Sequence, residues 1–234
     1  MSGGEALANI GIMLLCYGYV LLIMVISSAL PRAFDFSQKN SRKFLHMMIG
    51  NLPFVIPFFT STIYPVLVAA PFILVTFIAS PYSPLKNRRF SGLMNITEEG
   101  HPLGLILYAV SYTLLALFFA SQPYVIAAGI LPMAYGDSAA SLVGGRYGKK
   151  RCNLAGNKSL EGSIAMFIAS LLSLTVGMIF FSSMYSFSIT RIGLALVSVV
   201  VVTTLVESMS PKGFDNLTVP ILGSLTFWVL TRGL

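Results

Sequence analysis

The sequence consists of long apolar runs separated by short polar gaps, and its positive charges lie in every second gap. Of the fifteen Lys and Arg residues, only Arg191 and Arg232 fall outside these alternate gaps. Membrane proteins keep an excess of Lys and Arg in the loops on the cytoplasmic side. The alternation therefore predicts a polytopic membrane protein whose odd-numbered gaps are cytoplasmic and whose N-terminus is outside.

The composition indicates the same class. Hydrophobic residues make up 56% of the chain, charged residues 10%, and the mean hydropathy is +0.82. A soluble domain of 234 residues could not bury so much apolar surface. A span needs about 20 apolar residues, and we find about eight candidate runs: 9–30, 44–59, 62–79, 102–120, 123–143, 161–181, 189–206 and 217–231. We expect an all-α integral membrane protein, a bundle of about eight transmembrane helices, with residues 1–234 as one catalytic domain.

Proline distinguishes the two shortest runs. Pro53 and Pro57 fall in the first of them, and Pro65 and Pro71 fall in the second. Each proline frees backbone groups that neighbouring helices or waters must satisfy. We therefore expect kinked or partly re-entrant helices at these positions.

The acidic residues share the predicted cytoplasmic side with the bases. All of them except Glu5 fall there, namely Asp35, Glu98, Glu99, Asp137, Glu161, Glu207 and Asp215. The last four lie at or just inside the ends of apolar runs, where an uncompensated charge is costly. Each alone is compatible with an ordinary solvated loop end. Together they predict a functional site at this face.

The segment 135–163 carries the strongest pattern. If residues 136–148 are helical, Gly136, Ala140, Gly144 and Gly148 stack four residues apart into a ridge of small side chains, with Asp137 beside it. Another backbone or a ligand can approach such a ridge closely. The ridge is also typical of simple helix packing. Packing alone leaves Asp137 unexplained.

Cations and a helix start follow this ridge. Lys149 precedes a helix that begins near Asn157 or Ser159, so backbone N–H groups, a helix dipole and ammonium groups converge. This combination suits a polyphosphate, although the spacing is not that of a Walker loop. Basic loops also contact anionic lipid headgroups, which is our preferred interpretation of Lys150 and Arg151.

A second cluster opens the helix that follows the first gap. Arg42, His46 and Gly50 recur four residues apart, so that a guanidinium, an imidazole and a position without a side chain line one face. A phosphate can dock on such a face. The alternative is a membrane anchor with an interfacial histidine.

A third cluster lies in the hairpin between the last two runs. Asp215 or Asn216 can simply cap the final helix. Glu207 has no such structural role, because it ends an apolar run at the membrane edge and needs a cation there. Three cations are available to it: Lys212, Arg42 or a metal.

These clusters together resemble the CTP-dependent lipid-alcohol kinases, which include dolichol kinase, phytol kinase and the fungal CTP-using diacylglycerol kinases. The resemblance rests on Arg42-Lys43-x-x-His46, Gly136-Asp137-Ser138-x-Ala140-Ser141-x-x-Gly144, Lys158-Ser159-x-Glu161-Gly162-Ser163 and Glu207-x-x-Ser210-Pro211-x-Gly213-x-Asp215-Asn216. It implies that CTP donates its terminal phosphoryl group to a lipid hydroxyl, with a divalent metal, at the cytoplasmic face. It also implies that the family's Arg-Lys pair falls on Arg42 and Lys43 and its Gly-Asp motif on Gly136 and Asp137.

From this resemblance and from the needs of phosphoryl transfer, we expect three sets of site residues. The catalytic candidates are Asp137, Asp215, Glu207 and His46. The candidates for binding the nucleotide are Arg42, Lys43, Gly136, Ser138, Gly144, Lys149, Lys158, Ser159 and Asn216. The candidate ligands of Mg²⁺ or another divalent cation are Asp137 with Glu161 or Asp215.

The expected partners are CTP, a membrane lipid alcohol and the bilayer, and no nucleic acid. The short chain favours a prokaryotic-type cell membrane enzyme acting on a polyprenol, dolichol or phytol-like alcohol over diacylglycerol. A lipid-phosphate cytidylyltransferase is the nearest enzymatic alternative. A transporter is the alternative outside enzymes, but it would place ionisable groups near the bilayer midplane, often in two related halves.

Overall fold

The computed structural model describes residues 3–34, 37–83, 103–149, 158–211 and 213–232. All regular elements in these ranges are helices. The α-helices are α1 Gly3–Ala33, α2 Gln38–Ile49, α3 Ile63–Ala69, α4 Pro71–Ile78, α5 Gly104–Phe119, α6 Pro123–Leu131, α7 Asp137–Tyr147, α8 Leu160–Ser182, α9 Ile189–Met209 and α10 Asp215–Thr231. Two short 3-10 turns, Leu52–Phe54 and Ile56–Phe58, and one π-helical turn, Pro132–Gly136, lie between them.

Four continuous helical stretches are long and apolar enough to cross a membrane: Gly3–Ala33, Pro123–Tyr147, Leu160–Ser182 and Ile189–Met209. Shorter apolar helices cover Ile63–Ile78 and Gly104–Phe119. Large apolar side chains such as Leu15, Leu172 and Leu194 remain exposed on these helices, as expected where lipid takes the place of water. The prediction of an all-α membrane protein is confirmed.

The run 44–59 departs from a simple spanning helix. Helix α2 begins before that run, at Gln38, and ends at Ile49, and the 3-10 turns follow it. Pro53 and Pro57 lie in those turns, where a residue without a backbone N–H cannot continue an α-helix. Similarly, α3 gives way to α4 at Pro71. The interruptions expected from the prolines are therefore present in both runs.

A pair of hydrogen bonds shows the path of this broken segment. The Asn9 side chain, near the start of α1, donates to the Thr60 hydroxyl at 2.7 Å and accepts from the Thr60 backbone N–H at 2.9 Å. At the other end, α2 packs against α1. Segment 38–60 therefore runs alongside α1 as a helix continued by 3-10 turns.

Helix α6 occupies the centre of the bundle and approaches α10 closely. Almost all of its residues are buried. The Ser224 hydroxyl donates to the Val125 carbonyl at 2.8 Å, and Gly129 leaves no room for a Cβ beside the Pro220 carbonyl. This contact fixes the position of α10 against α6. Because α7 follows α6 after one short turn, the contact also sets where the first residues of α10 lie relative to α7.

A π-helical turn joins α6 to α7 immediately before Asp137. Pro132 cannot donate a backbone hydrogen bond, and the Asp137 N–H donates to the carbonyl of Pro132, five residues earlier. Such a turn widens the helix and shifts the direction of the residues beyond it, and π turns occur frequently at functional sites. Here the turn sets the orientation of Asp137 at the start of α7.

Candidate active site

Five helices converge around a cavity of about 320 Å³ at the end of the bundle where α2, α7 and α8 begin. The cavity combines charged side chains with a wall of small residues. It is lined by Lys39, Arg42, Lys43, His46, Asp137, Ala140, Ser141, Gly144, Gly145, Gly148, Lys158, Ser159, Gly162, Ser163, Glu207, Asp215 and Asn216. Most of the residues predicted for the site therefore line one cavity.

A buried ion pair joins α2 to α7. The Lys43 ammonium contacts the Asp137 carboxylate, and both side chains are almost fully buried. Ser138 adds a contact between the same two helices, because its hydroxyl lies 2.6 Å from the Ala134 carbonyl and 3.3 Å from the Lys43 carbonyl. A buried charge pair is retained only with such close partners, so the pair sets how α2 sits against α7.

A second cation, Lys158, links the last two helices of the bundle. Its ammonium contacts Glu207 and lies 3.2 Å from an oxygen of Asp215. Burial alone would lower the pKa of Lys158, but Glu207, Asp215 and Asp137 together raise it. Lys158 therefore remains charged throughout the physiological pH range.

The carboxylates of Asp137, Glu207 and Asp215 face one another. Each offers one oxygen, and these three oxygens lie within 4.8 Å of one another. The second oxygen of Glu207 is buried and has no hydrogen-bond partner among the described residues. Hard oxygen ligands of this kind, left partly unsatisfied, fit a divalent cation such as Mg²⁺.

Glycines form the opposite wall of the cavity, where α7 meets the start of α8. A Cβ on Gly144 would lie 2.8 Å from the Ser159 hydroxyl oxygen and 3.4 Å from Gly162 Cα. Ser159 caps α8, since its side chain accepts a hydrogen bond from the Gly162 N–H at 3.1 Å. The positive end of the α8 dipole consequently points to a cavity bordered by cations, which favours an anionic ligand.

His46 lies at the inner side of the cavity. It is 1% exposed, and its ring stacks on Tyr108 with the centroids 4.7 Å apart. Neither ring nitrogen has a hydrogen-bond partner among the described residues. Buried polar atoms usually have partners, so this imidazole is available to a ligand that enters the cavity.

The structure does not bring every predicted site residue to the cavity. Gly136 packs against Ser170 with no space for a side chain. Ser138 contacts the backbone of Lys43 but does not line the cavity. Lys149 is exposed outside the lining residues. Glu161 lies in the first turn of α8 and is likewise absent from the lining and from the carboxylate cluster. The position of the carboxylates thus favours Glu207 over Glu161 as the third candidate metal ligand, beside Asp137 and Asp215.

The cation beside Glu207 is also different from those offered by the sequence. It is Lys158, whereas the sequence suggested Lys212, Arg42 or a metal. The simple capping role for Asp215 and Asn216 is not observed, since Phe214 holds the cap position and no side chain caps α10. Several residues discussed from the sequence lie outside the described ranges, namely Asp35, Glu98, Glu99, Lys150, Arg151, Asn157 and Lys212.

Two lining residues, Lys39 and Ser141, were left out of the candidate site residues, although Ser141 belongs to the motif that carries the resemblance. Lys39 precedes Arg42 by three residues, and Ser141 follows Asp137 by four, spacings that place each pair on one side of a helix. The Lys39 ammonium lies 3.5 Å from the Ser141 carbonyl at the edge of the cavity. Applying helical spacing to every polar residue near the motifs would have found these residues.

Comparison with known proteins gives a consistent set of relatives. The chain is 41% identical to phytol kinase of Synechocystis sp. over 132 residues, 55% of this chain and 54% of that protein. It is 32% identical to probable phytol kinase 2, chloroplastic, of Oryza sativa over 225 residues, 90% of this chain and 73% of that protein. It is 26% identical to CTP-dependent diacylglycerol kinase 1 of Eremothecium gossypii, over 82% of this chain and 67% of that protein.

No protein-family model and no solved structure matches the chain significantly. The match to the Synechocystis protein spans about half of that relative's length, whereas the match to the rice protein spans nearly the whole of this chain and most of the relative. The chain belongs to the family of lipid kinases that contains the phytol kinases and the CTP-dependent diacylglycerol kinases.

Proposed function

We propose that this protein transfers the γ-phosphoryl group of CTP to the hydroxyl of a membrane isoprenoid alcohol and releases the lipid monophosphate and CDP. The observation that supports the proposal most is the cavity, in which three buried acids and a set of cations meet at one end of the bundle. Phytol or a related alcohol is the preferred acceptor, because the Synechocystis relative is named a phytol kinase and the rice relative a probable phytol kinase. Dolichol and other polyprenols belong to the same acceptor class.

The cations position and neutralise the donor. Phosphoryl transfer needs donor and acceptor in line and charge compensation on the phosphoryl oxygens. Lys43 and Lys158 contact the acids of the cluster, and both line the cavity together with Arg42 and Lys39. The triphosphate lies between these cations and the α8 N-terminus, where the Ser159 hydroxyl and nearby backbone groups contribute hydrogen bonds.

The acids fit the metal that such a reaction requires. Asp137, Glu207 and Asp215 would hold Mg²⁺, with Glu161 the weaker candidate because it lies outside the cluster. When bound, the ion neutralises negative charge on the β- and γ-phosphate oxygens. Lys43 and Lys158 compensate two of the three carboxylate charges, which leaves one negative charge in the cluster for the cation.

The covalent step is a single exchange of phosphorus–oxygen bonds. The acceptor oxygen forms a bond to the γ-phosphorus, and the bond from that phosphorus to the β–γ bridging oxygen breaks, leaving CDP. The hydroxyl proton passes to Asp215 or Glu207, with His46 the further candidate because both of its ring nitrogens lack partners among the described residues. Asn216 holds Asp215 in place, as its backbone N–H donates to the Asp215 carboxylate at 3.0 Å.

The arrangement favours an enzyme over a transporter. The ionisable groups gather at one end of the bundle, and α6 fills the bundle centre with buried apolar residues, whereas transport sites lie near the midplane. The relatives named as kinases favour phosphoryl transfer over cytidylyl transfer. We place the cavity at the cytoplasmic face of a prokaryotic-type cell membrane, with the N-terminus outside, from the distribution of Lys and Arg.

A purified-protein assay tests the proposal. The protein is incubated with CTP or ATP and with phytol, geranylgeraniol, dolichol or diacylglycerol, and both products are identified. We expect CDP and an isoprenoid monophosphate from CTP, with activity lost on chelation of divalent cations and restored by Mg²⁺. Pyrophosphate and a CDP-lipid would identify a cytidylyltransferase instead, and a preference for diacylglycerol would replace the proposed acceptor.

A further inference from the structure

A second cavity, of about 50 Å³, lies between α1, α2, α3, α4 and α5. Its lining is almost wholly apolar. Thr76 also lines the cavity. Its hydroxyl donates a hydrogen bond to the Phe72 carbonyl at 2.7 Å, so it does not need a partner inside the cavity. The space exceeds the roughly 10–15 Å³ that one water needs, but a water must also have polar partners. This cavity therefore suits a hydrocarbon.

Helix α2 separates this apolar cavity from the ionic one. Leu45 and Ile49 line the apolar cavity, while Arg42 and His46 line the ionic cavity. The boundary is the stacked pair of His46 and Tyr108, whose planes differ by 8°. Tyr108 lines the apolar cavity and His46 lines the ionic cavity. The two cavities are therefore neighbours on either side of this stacked pair.

The apolar cavity also lies next to the lipid-facing surface. Its residues Met24 on α1 and Phe72 on α4 are only half-buried. The adjacent Val25 is 64% exposed and Leu74 is 62% exposed. A hydrocarbon chain in the bilayer can therefore reach the cavity between α1 and α4 without crossing a polar surface.

We propose that this cavity binds the hydrocarbon chain of the lipid alcohol beyond its first isoprene unit, while the hydroxyl that receives the phosphoryl group lies in the ionic cavity. The inference rests on the proposed function. The chain enters between α1 and α4, and the hydroxyl passes the His46–Tyr108 pair into the ionic cavity. There the unpartnered ring nitrogens of His46 hydrogen-bond to the hydroxyl, which leaves the chain in an apolar environment and the oxygen among the charged groups.

Ala109→Phe tests the proposal by filling the cavity from α5. Ala109 lines the cavity and is 9% exposed. Leu117→Phe is the matched control, because Leu117 lies on the same helix, is 59% exposed and is absent from the lining. The measured quantity is kcat/KM with CTP for phytol and for prenol, an alcohol of a single isoprene unit. We expect Ala109→Phe to lower the phytol-to-prenol ratio about 10-fold or more and Leu117→Phe to leave it unchanged.

The outcomes separate this inference from the proposed function. An unchanged phytol-to-prenol ratio in Ala109→Phe, whether or not kcat/KM for both alcohols falls, would overturn the assignment of the cavity. If the wild-type protein phosphorylates no alcohol with CTP, the proposed function itself fails.

A second measurement needs no variant. A phytol analogue with a diazirine on its chain is photolysed with the wild-type protein, and the labelled peptides are identified. We expect labelling in α4 and α5 that excess phytol abolishes. Labelling confined to the exposed surfaces of α8 and α9, or labelling that phytol does not reduce, would contradict the proposal.

Discussion

Two lysines from different parts of the chain hold the acids of the active site. Lys43 pairs with Asp137, and Lys158 pairs with Glu207 and Asp215. Buried carboxylates so close together repel one another unless cations compensate them. The ammonium groups thus offset the repulsion among the carboxylates and allow the three acids to lie close together.

Asp137→Asn tests the central acid. The amide retains the shape of the side chain but removes the charge, weakening a metal ligand and leaving the Lys43 ammonium buried without its carboxylate. We expect kcat with CTP to fall about 100-fold or more. The assay uses CTP radiolabelled at its γ-phosphate and extraction of the lipid product. Glu5→Gln is the control, because Glu5 lies in the first turn of α1 and does not line the cavity. A folded Asp137→Asn protein with the wild-type rate would exclude this role.

A comparison of Glu207→Gln with Glu161→Gln decides between the two candidate third acids. Glu207 contributes an oxygen to the carboxylate cluster, whereas Glu161 does not. We expect Glu207→Gln to raise the Mg²⁺ concentration for half-maximal activity about 10-fold or more, since hard cations depend on charged oxygen ligands. Glu161→Gln should change it little. The reverse ranking would restore Glu161 as the ligand that the sequence suggested.

At the scale of the elements, the site depends on the close approach of α7 to α8. Small residues permit this approach: Gly144 faces Gly162 and Ser159. The same contact holds the α8 N-terminus at the cavity, so packing and ligand binding use one interface. The ridge of small residues expected from the sequence packs against α8, and its contact with a ligand is part of the proposed function.

Gly144→Ala and Gly145→Ala form a matched pair for this interface. A Cβ at Gly144 would crowd the Ser159 hydroxyl at 2.8 Å, whereas a Cβ at Gly145 would meet only the flexible Lys39 ammonium at 3.6 Å. We expect Gly144→Ala to lower stability by about 1–3 kcal/mol and to raise the KM for CTP. Gly145→Ala should be neutral or slightly stabilising, because alanine favours the helix. Thermal unfolding in detergent and CTP kinetics measure both effects, and equal behaviour of the two variants would contradict the packing argument.

For the molecule as a whole, the candidate site is a product of helix packing at one end of a membrane bundle. Segment 38–60 carries Lys43 and His46 to that end, and the almost completely buried α6 leads through the π-helical turn to Asp137. The apolar cavity lies beside the candidate site, between α1 and α5. In the proposed function, this arrangement lets a lipid alcohol meet a soluble nucleotide without leaving the membrane.

Cysteine labelling tests the orientation of the bundle. In a background that lacks Cys16 and Cys152, single cysteines are introduced as Lys149→Cys and Arg191→Cys, both at exposed positions beyond opposite ends of α8. We expect a membrane-impermeant maleimide to label Arg191→Cys in intact cells and Lys149→Cys only after the membrane is opened. Labelling of Lys149→Cys in intact cells would place the active site outside.

The amino-acid sequence was sufficient to predict the class of the protein, most of the apolar helices and most of the residues that line the cavity. Apolar length identifies helices, prolines mark their interruptions, and helical spacing places Arg42 with His46 and Asp137 with the small-residue ridge. These are properties of single segments, because they depend on periodicity within one helix. The resemblance of four separate clusters to one family added the expected chemistry.

Which of these residues meet depends on how the helices pack against one another. Lys43 and Asp137 are 94 residues apart in the chain, Lys158 and Glu207 are 49 apart, and Lys158 and Asp215 are 57 apart. Periodicity fixes the face of a helix on which a side chain lies, but the rotation of one helix against another depends on close contacts such as that of Gly129 with Pro220. For that reason Glu207 joins the cluster in place of Glu161, and an apolar cavity adjoins it that no single segment of the sequence reveals.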